Sequence, residues 1–317
     1  MRIVSTPWIV LLAALALGAT AATGCRQPPP APEGLDESMR FLLREFHADD
    51  LTVGAGLTGL MNWYDEEGVE MLELAQGEGA TVDNADSFEL ADLDHGDVDH
   101  LPLAEEPDLS RAEGVSLLAM LDCHWAEAEH YMVRLDQEVV FEGDFKTFDR
   151  TYTTSREAFE DATATGQFDP VDEYQGVYED GYDGGDVERS LLLSDNDISV
   201  DFLGIDMAYT QDVHFRHGAF DVQGEPRNVL TIFAYLPASA TGADGVNSLL
   251  QTYSISVLMD WGDDRTLRAY GLWSELDTPW LENDSAAMAA TKVNAGVDAA
   301  QRISDLCAGV VAIPEEP

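Results

Sequence analysis

Between residues 198 and 276 apolar and polar positions alternate with a period of two. Ile198, Val200 and Phe202 are interleaved with Ser199 and Asp201, and Met207, Tyr209, Val213 and Phe215 with Thr210, Asp212, His214 and Arg216. Tyr253, Ile255, Val257, Met259 and Trp261 alternate in the same way with Thr252, Ser254, Ser256 and Asp260. Successive side chains on a strand point to opposite faces, so each run reads as a strand with one face on a core. Residues 228–236 are almost wholly apolar and read as a strand covered on both faces. Gly262-Asp263-Asp264 turns the chain, and residues 267–276 return. The pattern predicts an antiparallel meander.

Flanking segments complete the unit. Residues 115–121 have the length and apolar content of a buried strand. Residues 124–135 then place Trp125, Ala128, Met132 and Leu135 on one helical face, and residues 141–154 read as an edge strand. Residues 284–308 predict a long helix with Ala289, Val293, Val297, Ala300, Ile303 and Cys307 along one side, small enough for close approach to a sheet. The fold class expected is α+β: an antiparallel meander covered by a long C-terminal helix.

The N-terminal third is helical and acidic. In residues 35–47, Leu35, Met39, Leu42, Leu43 and Phe46 share one face, with Asp36, Arg40, Arg44 and Glu45 off it. Such a stripe is expected to face this protein's own core; the alternative is an exposed interaction surface. Residues 51–74 stay apolar but contain Gly54, Gly56, Gly59 and Gly68, and read as broken helices. Residues 77–107 and 161–188 are rich in acids and small residues and read as loops, while Thr154-Ser155-Arg156-Glu157 is a capping-box pattern opening a short helix. The expected division is residues 1–24 signal, 25–34 tether, 35–110 acidic N-terminal region, 111–312 α+β domain and 313–317 tail.

Composition narrows the partners. The 45% apolar fraction is enough for a proper core. Against that, 61 Asp and Glu face 16 Lys and Arg, a formal net charge of -45, and Lys146 and Lys292 are the only lysines. Phosphate backbones need clustered Lys and Arg, so nucleic acid is excluded as a partner, and anionic lipid headgroups are excluded as an electrostatic dock. A surface this acidic suits salty surroundings, where ions screen its self-repulsion.

The first residues supply an address. Arg2 precedes an unbroken apolar run over residues 8–17, and small residues then lead to Ala22-Thr23-Gly24-Cys25. This layout is that of a secretory signal, and it resembles the lipobox of bacterial lipoproteins, with Ala22 where Leu is commonest. The run is about half the ~20 residues a transmembrane helix needs. Ordinary cleavage near Ala19-Thr20-Ala21 is the alternative and would leave Cys25 a free thiol. The resemblance implies cleavage before Cys25, acylation of that residue and attachment to a lipid bilayer. Arg26 rather than Asp after the cysteine implies the outer membrane of the cell envelope. The proline-rich residues 26–34 would then be a semi-rigid tether.

Three cysteines are an odd number for an exported chain. Acylation of Cys25 leaves Cys123, at the end of the first predicted strand, and Cys307, on the inner side of the last helix. A disulfide between them would stabilise by ~4–5 kcal/mol on the chain-entropy account. The alternative is a pair of buried thiols.

In element order, one strand, a helix, an antiparallel run and a final long helix, residues 114–311 resemble the helix-grip, or START-like, fold. That resemblance implies an apolar tunnel between sheet and last helix. Tyr209, Phe215, Phe233, Tyr235, Tyr253, Trp261, Tyr270 and Trp273 are the aromatics available either to line it or to fill an ordinary core.

Candidate chemistry is sparse. Asp92, Asp94, His95, Asp97, Asp99 and His100 form the densest set of possible metal ligands, without the spacing of a calcium loop. Asp180, Asp183 and Asp186 are a weaker set. Asp212, His214, Arg216 and His217 would make an acid–base group, but the alternation puts His214 on a polar, solvated strand face. Cys123 and His124 point apart. No nucleophile elbow, phosphate loop or zinc-protease motif is present, and no cofactor is expected. The function expected is that of a lipid-anchored envelope protein, non-enzymatic, structural or holding a small apolar ligand. The alternative is a metal-dependent or hydrolytic envelope enzyme using residues 92–100.

Overall fold

In a computed structural model of the chain, which describes residues 27–67, 72–73, 89–152, 191–202, 205–279, 283 and 286–315, the alternating runs form one ten-stranded sheet. Its strands are β1 (Leu72–Glu73), β2 (Glu89–Leu90), β3 (Glu113–Leu121), β4 (Thr147–Tyr152), β5 (Leu191–Phe202), β6 (Ile205–Val222), β7 (Glu225–Tyr235), β8 (Ala240–Thr241), β9 (Ser248–Gly262) and β10 (Arg265–Asp277). The helices are α1 (Gly34–Arg44), α2 (Asp50–Glu67), α3 (His95–Val98), α4 (Trp125–Val133), α5 (Gln137–Val140) and α6 (Ala286–Cys307). The lipobox and Cys25, the 154–157 capping box and the 161–188 acidic segment lie outside the described residues.

The main path runs β1-β3-β10-β9-β7-β6-β5-β4, with β2 on β3 and β8 on β9. The longer strands from β4 to β10 follow one another antiparallel, and β10 then pairs with β3, the first long strand. With α4 and α5 between β3 and β4, and α6 after β10, this is the helix-grip order read from the sequence. Two hairpins close on mirror-image turns that need positive φ at both central residues. These are Gln223 (φ 55) with Gly224 (φ 85), and Asp263 (φ 53) with Asp264 (φ 58). Asp221 Oδ1 accepts from Gly224 N at 2.8 Å and pins the first of them.

Strand parity divides the interior into two cores. On the inner face, Val115, Leu117, Ala119 and Leu121 of β3 meet Val293, Val297, Ala300 and Ile303 of α6. On the outer face, Phe233, Tyr253, Ile255, Val257, Met259 and Trp273 meet Met39, Leu42, Leu43 and Phe46 of α1 and Val53, Leu57 and Leu60 of α2. Burying each such side chain stabilises by roughly 1.5–3 kcal/mol. The stripe of α1 therefore faces the protein's own core and is not an exposed interaction surface. Residues 35–66 share that core with the sheet.

Two expectations are corrected. Gly54, Gly56 and Gly59 do not break the helix over Asp50–Glu67 but let it pack closely, and Gly68 lies outside the described residues. A Cβ at Gly59 would stand 2.6 Å from Pro32 O, and one at Gly56 2.7 Å from Leu42 Cδ2. The polar parity of β6 is also not solvated at His214 and Arg216, because the α1–α2 segment covers them, while Thr210 further along the strand is exposed. Arg216 is 1% exposed, and its Nη1 donates to Phe46 O and Ala48 O, each at 2.7 Å.

Cys123 and Cys307 are joined in a disulfide, their Cα atoms 5.3 Å apart and 184 residues distant in sequence. Among the described residues, no helix is long and apolar enough to cross a membrane.

Candidate functional site

The inner face of the sheet is wider than α6 covers. β3 and β10 carry the helix, and the span between it, α5 and β4 is left open as a cavity of about 550 Å³. That size falls within the ~300–1,000 Å³ of small-molecule sites. The walls follow from parity. Even-numbered residues of β7, β9 and β10 and odd-numbered residues of β6 point inward, so Tyr209, Val213, Phe215, Ile232, Ala234 and Leu272 line it. Phe141, Phe145 and Phe148 close it from the segment around α5 and β4, and Met288 from α6. Exposed Gly143, Asp144 and Asp201 stand at its rim.

Of the eight aromatics singled out from the sequence, Tyr209, Phe215 and Tyr270 line the cavity. Phe233, Tyr235, Tyr253 and Trp273 fill the outer core, with Trp261 packed against it. The polar lining was not foreseen. Ser254 and Ser256 of β9, Arg268 and Ser274 of β10 and Lys292 of α6 all face the cavity. Burial, with Tyr270 nearby, pushes the Tyr209 phenol up to about 12, and it remains a neutral donor. Lys292 Nζ donates to Glu113 O and Ser274 O, each at 3.0 Å, and burial lowers its pKa to about 8. The Arg268 guanidinium is buried over the Tyr270 ring, 5.4 Å from its centroid, and desolvation lowers its pKa.

The acidic cluster of residues 92–100 is engaged otherwise. Asp94 caps α3, accepting from Gly96 N at 2.9 Å, and Asp97 completes a capping box by accepting from Asp94 N at 2.9 Å. The Asp97 carboxylate is fully buried and binds Arg40 Nε at 2.7 Å and Arg44 Nη1 at 2.8 Å, while Arg40 also bonds Asp94. Two guanidinium groups thus stand where a cation would sit, fastening α3 to α1. Asp92, His95, Asp99 and His100 are exposed. Among the described residues, the only group within reach of a shared metal ion is Cys123, Glu127 and Cys307, and its two cysteines form the disulfide.

The β6 histidines are placed apart. His217 is buried on the inner side against Glu129, bonded through Nδ1 to Oε1. His214 lies on the outer side, its Nδ1 2.9 Å from His47 Nε2. Burial lowers the pKa of His214 to about 4 and that of His47 well below 6.5, with the charge of His214 also opposing that of His47. Both are neutral at pH 7. Their folded values lie below the unfolded one, so the pair's stabilisation is full above pH 6.5 and is lost as pH falls toward 4. Acid titration of unfolding should show a loss of about 3 kcal/mol over that window from His214 alone. A His47→Gln/His214→Gln variant should lack that limb; an unchanged profile would show the pair to be silent.

No family model matches the chain, and no curated protein matches it. Solved structures overlap it loosely. TTHA0849 from Thermus thermophilus is 8% identical, with 63% of this chain and 99% of that one covered and a TM-score of 0.36. A START superfamily protein from Mycobacterium smegmatis is 12% identical, with 62% and 99% covered and a TM-score of 0.32. The lipid transfer and protein localization domain of human StarD13 (DLC2) is 10% identical, with 62% and 78% covered and a TM-score of 0.37. The fold assignment accordingly rests on the strand order of this chain itself.

Proposed function

We propose that this protein is a lipid-anchored envelope protein that holds a small, largely apolar molecule between its sheet and its last helix. The observation that carries the reading is the cavity of about 550 Å³, walled by Phe141, Phe145, Phe215, Ile232 and Met288. Well-packed interiors leave few voids larger than a water molecule, so a space of this size on one face is a binding feature. The hydrolytic alternative loses two of its six ligands, since Asp94 and Asp97 are bound to arginines.

Displacement of a fluorescent apolar probe from the purified protein tests the binding role. Ala234 lies on the cavity wall, and Ala234→Phe should weaken the probe by about tenfold or more while the protein stays folded. Equal affinity in the folded variant would place the probe elsewhere and end the reading.

Support for the anchor comes from Ala22-Thr23-Gly24-Cys25 and from the scarcity of cations. With a net charge of -45, the chain has no electrostatic means of holding an anionic bilayer, so acyl chains would have to do so. An exported Cys25→Ser variant should remain in the soluble fraction when mixed with vesicles. Partition equal to that of the parent would refute the anchor and leave the cavity untouched.

A further inference from the structure

The cavity contains a charge that the protein does not balance. Arg268 is 5% exposed, and its guanidinium makes one long hydrogen bond, Nη1 to Gly296 O at 3.5 Å. Its Nε has no hydrogen-bond partner. No carboxylate among the described residues pairs with it. An arginine cannot discharge by losing its proton at any ordinary pH, and an uncompensated buried charge is among the most costly features a fold can carry.

The other buried arginines show that this is not the habit of the chain. Arg134 forks onto both oxygens of Asp136 at 2.8 and 2.7 Å. Arg216 bonds Asp50, and Arg150 donates to Asn196 Oδ1 at 2.8 Å and to the carbonyls of Met132 and Arg134. In a chain with 61 acidic residues, Arg268 pairs with none among those described. A second orphan lies beside it. Ser256 Oγ is buried without a partner, and Ser256 stands opposite Tyr270 in the β9–β10 register, one inward-facing place along from Arg268. Diagonal positions of this kind lie ~7–8 Å apart. Both residues line the cavity.

We propose that the bound molecule is an organic carboxylate with an apolar body, its anionic end held by Arg268 with Ser256 as a further donor. The proposal rests on the cavity being a ligand site. A carboxylate accepts from a guanidinium fork and a hydroxyl at once, and the apolar walls take the rest of the molecule. Charge selection then comes from inside the protein, where the field of the acidic surface is opposed by a desolvated cation. Without ligand, Arg268 is a liability, so replacing it by an apolar side chain of similar length should not lower the stability of the empty protein.

Dodecanoic acid and 1-dodecanol differ at the end group alone and make a matched pair of probes. By titration calorimetry at about pH 7.5, where the acid is ionised, the wild-type protein should bind the acid at least about tenfold more tightly than the alcohol. In Arg268→Met that preference should vanish with the alcohol affinity kept, and the empty variant should unfold at a temperature no lower than wild type. Equal binding of acid and alcohol by wild type would overturn the carboxylate assignment and leave the apolar cavity standing. Binding of neither would overturn both. Should Arg268→Met not fold, the acid–alcohol ratio in wild type still decides, with Arg268→Lys expected to retain part of it.

Discussion

Removal of the Cys123–Cys307 bridge should cost about 4–5 kcal/mol of unfolding free energy, a large fraction of a typical domain's stability. The bond ties a residue just after β3 to the last residue of α6, across 184 residues. On the chain-entropy account, the stabilisation grows with the logarithm of the loop closed, and few loops in a protein of this size are longer. The helix it fastens is also the one that closes the cavity, so loss of the bond should loosen α6 before the sheet unfolds. Urea unfolding of the Cys123→Ala/Cys307→Ala variant measures the effect, with alkylation of the denatured, unreduced parent as the check on the bond itself. A variant that unfolds with the parent, or a parent whose Cys123 and Cys307 alkylate without reductant, would remove the disulfide from the account.

Arg216→Met should cost about 3–5 kcal/mol, by a different route. Nη1 of Arg216 satisfies Phe46 O and Ala48 O in the turn between α1 and α2, and Nη2 reaches Asp50 Oδ1 at 2.5 Å. The guanidinium also rides over Phe220, 5.4 Å from the ring centroid. Methionine replaces the stem but none of the donors. Two carbonyls are then left without partners at roughly 1–3 kcal/mol each, and Asp50 loses its counter-charge. The damage should be local at first: amides of α1 and α2 should exchange faster than those of β7 and β9. Lysine, with three donors on a flexible stem, should restore part of the loss. A loss under about 1 kcal/mol would mean that the turn holds without the arginine.

The sheet was legible because it is built on parity, and parity is a property of neighbouring residues. The runs at 198–202, 207–216 and 253–261 became β5, β6 and β9, and the turn at Gly262-Asp263-Asp264 closes β9 on β10. Parity says that two faces differ; it does not say that the polar one is wet. His214 and Arg216 are covered by helices drawn from residues 34–67, far off in sequence. One signal was at hand: Phe220 and Val222 share their parity, so that face was never wholly polar. The acidic cluster misled for a related reason. Counting ligands along a loop does not reveal that Arg40 and Arg44, one turn apart on α1, already hold Asp94 and Asp97. Half of the cavity's aromatic lining was foreseeable as inward aromatics of β6 and β10. The other half, Phe141, Phe145 and Phe148, comes from a segment whose position over the sheet is set by tertiary packing.

The sheet is also a partition. Whatever occupies the space beneath α6 is separated by one layer of backbone from the α1–α2 hairpin, which continues from the proline-rich segment at the chain's start. On the proposed reading, a ligand would enter and leave on one side without disturbing the side from which an acylated Cys25 would hang the molecule. Loading and mooring would then be mechanically independent tasks, and a swing of the body about its leash would leave the contents of the hold undisturbed.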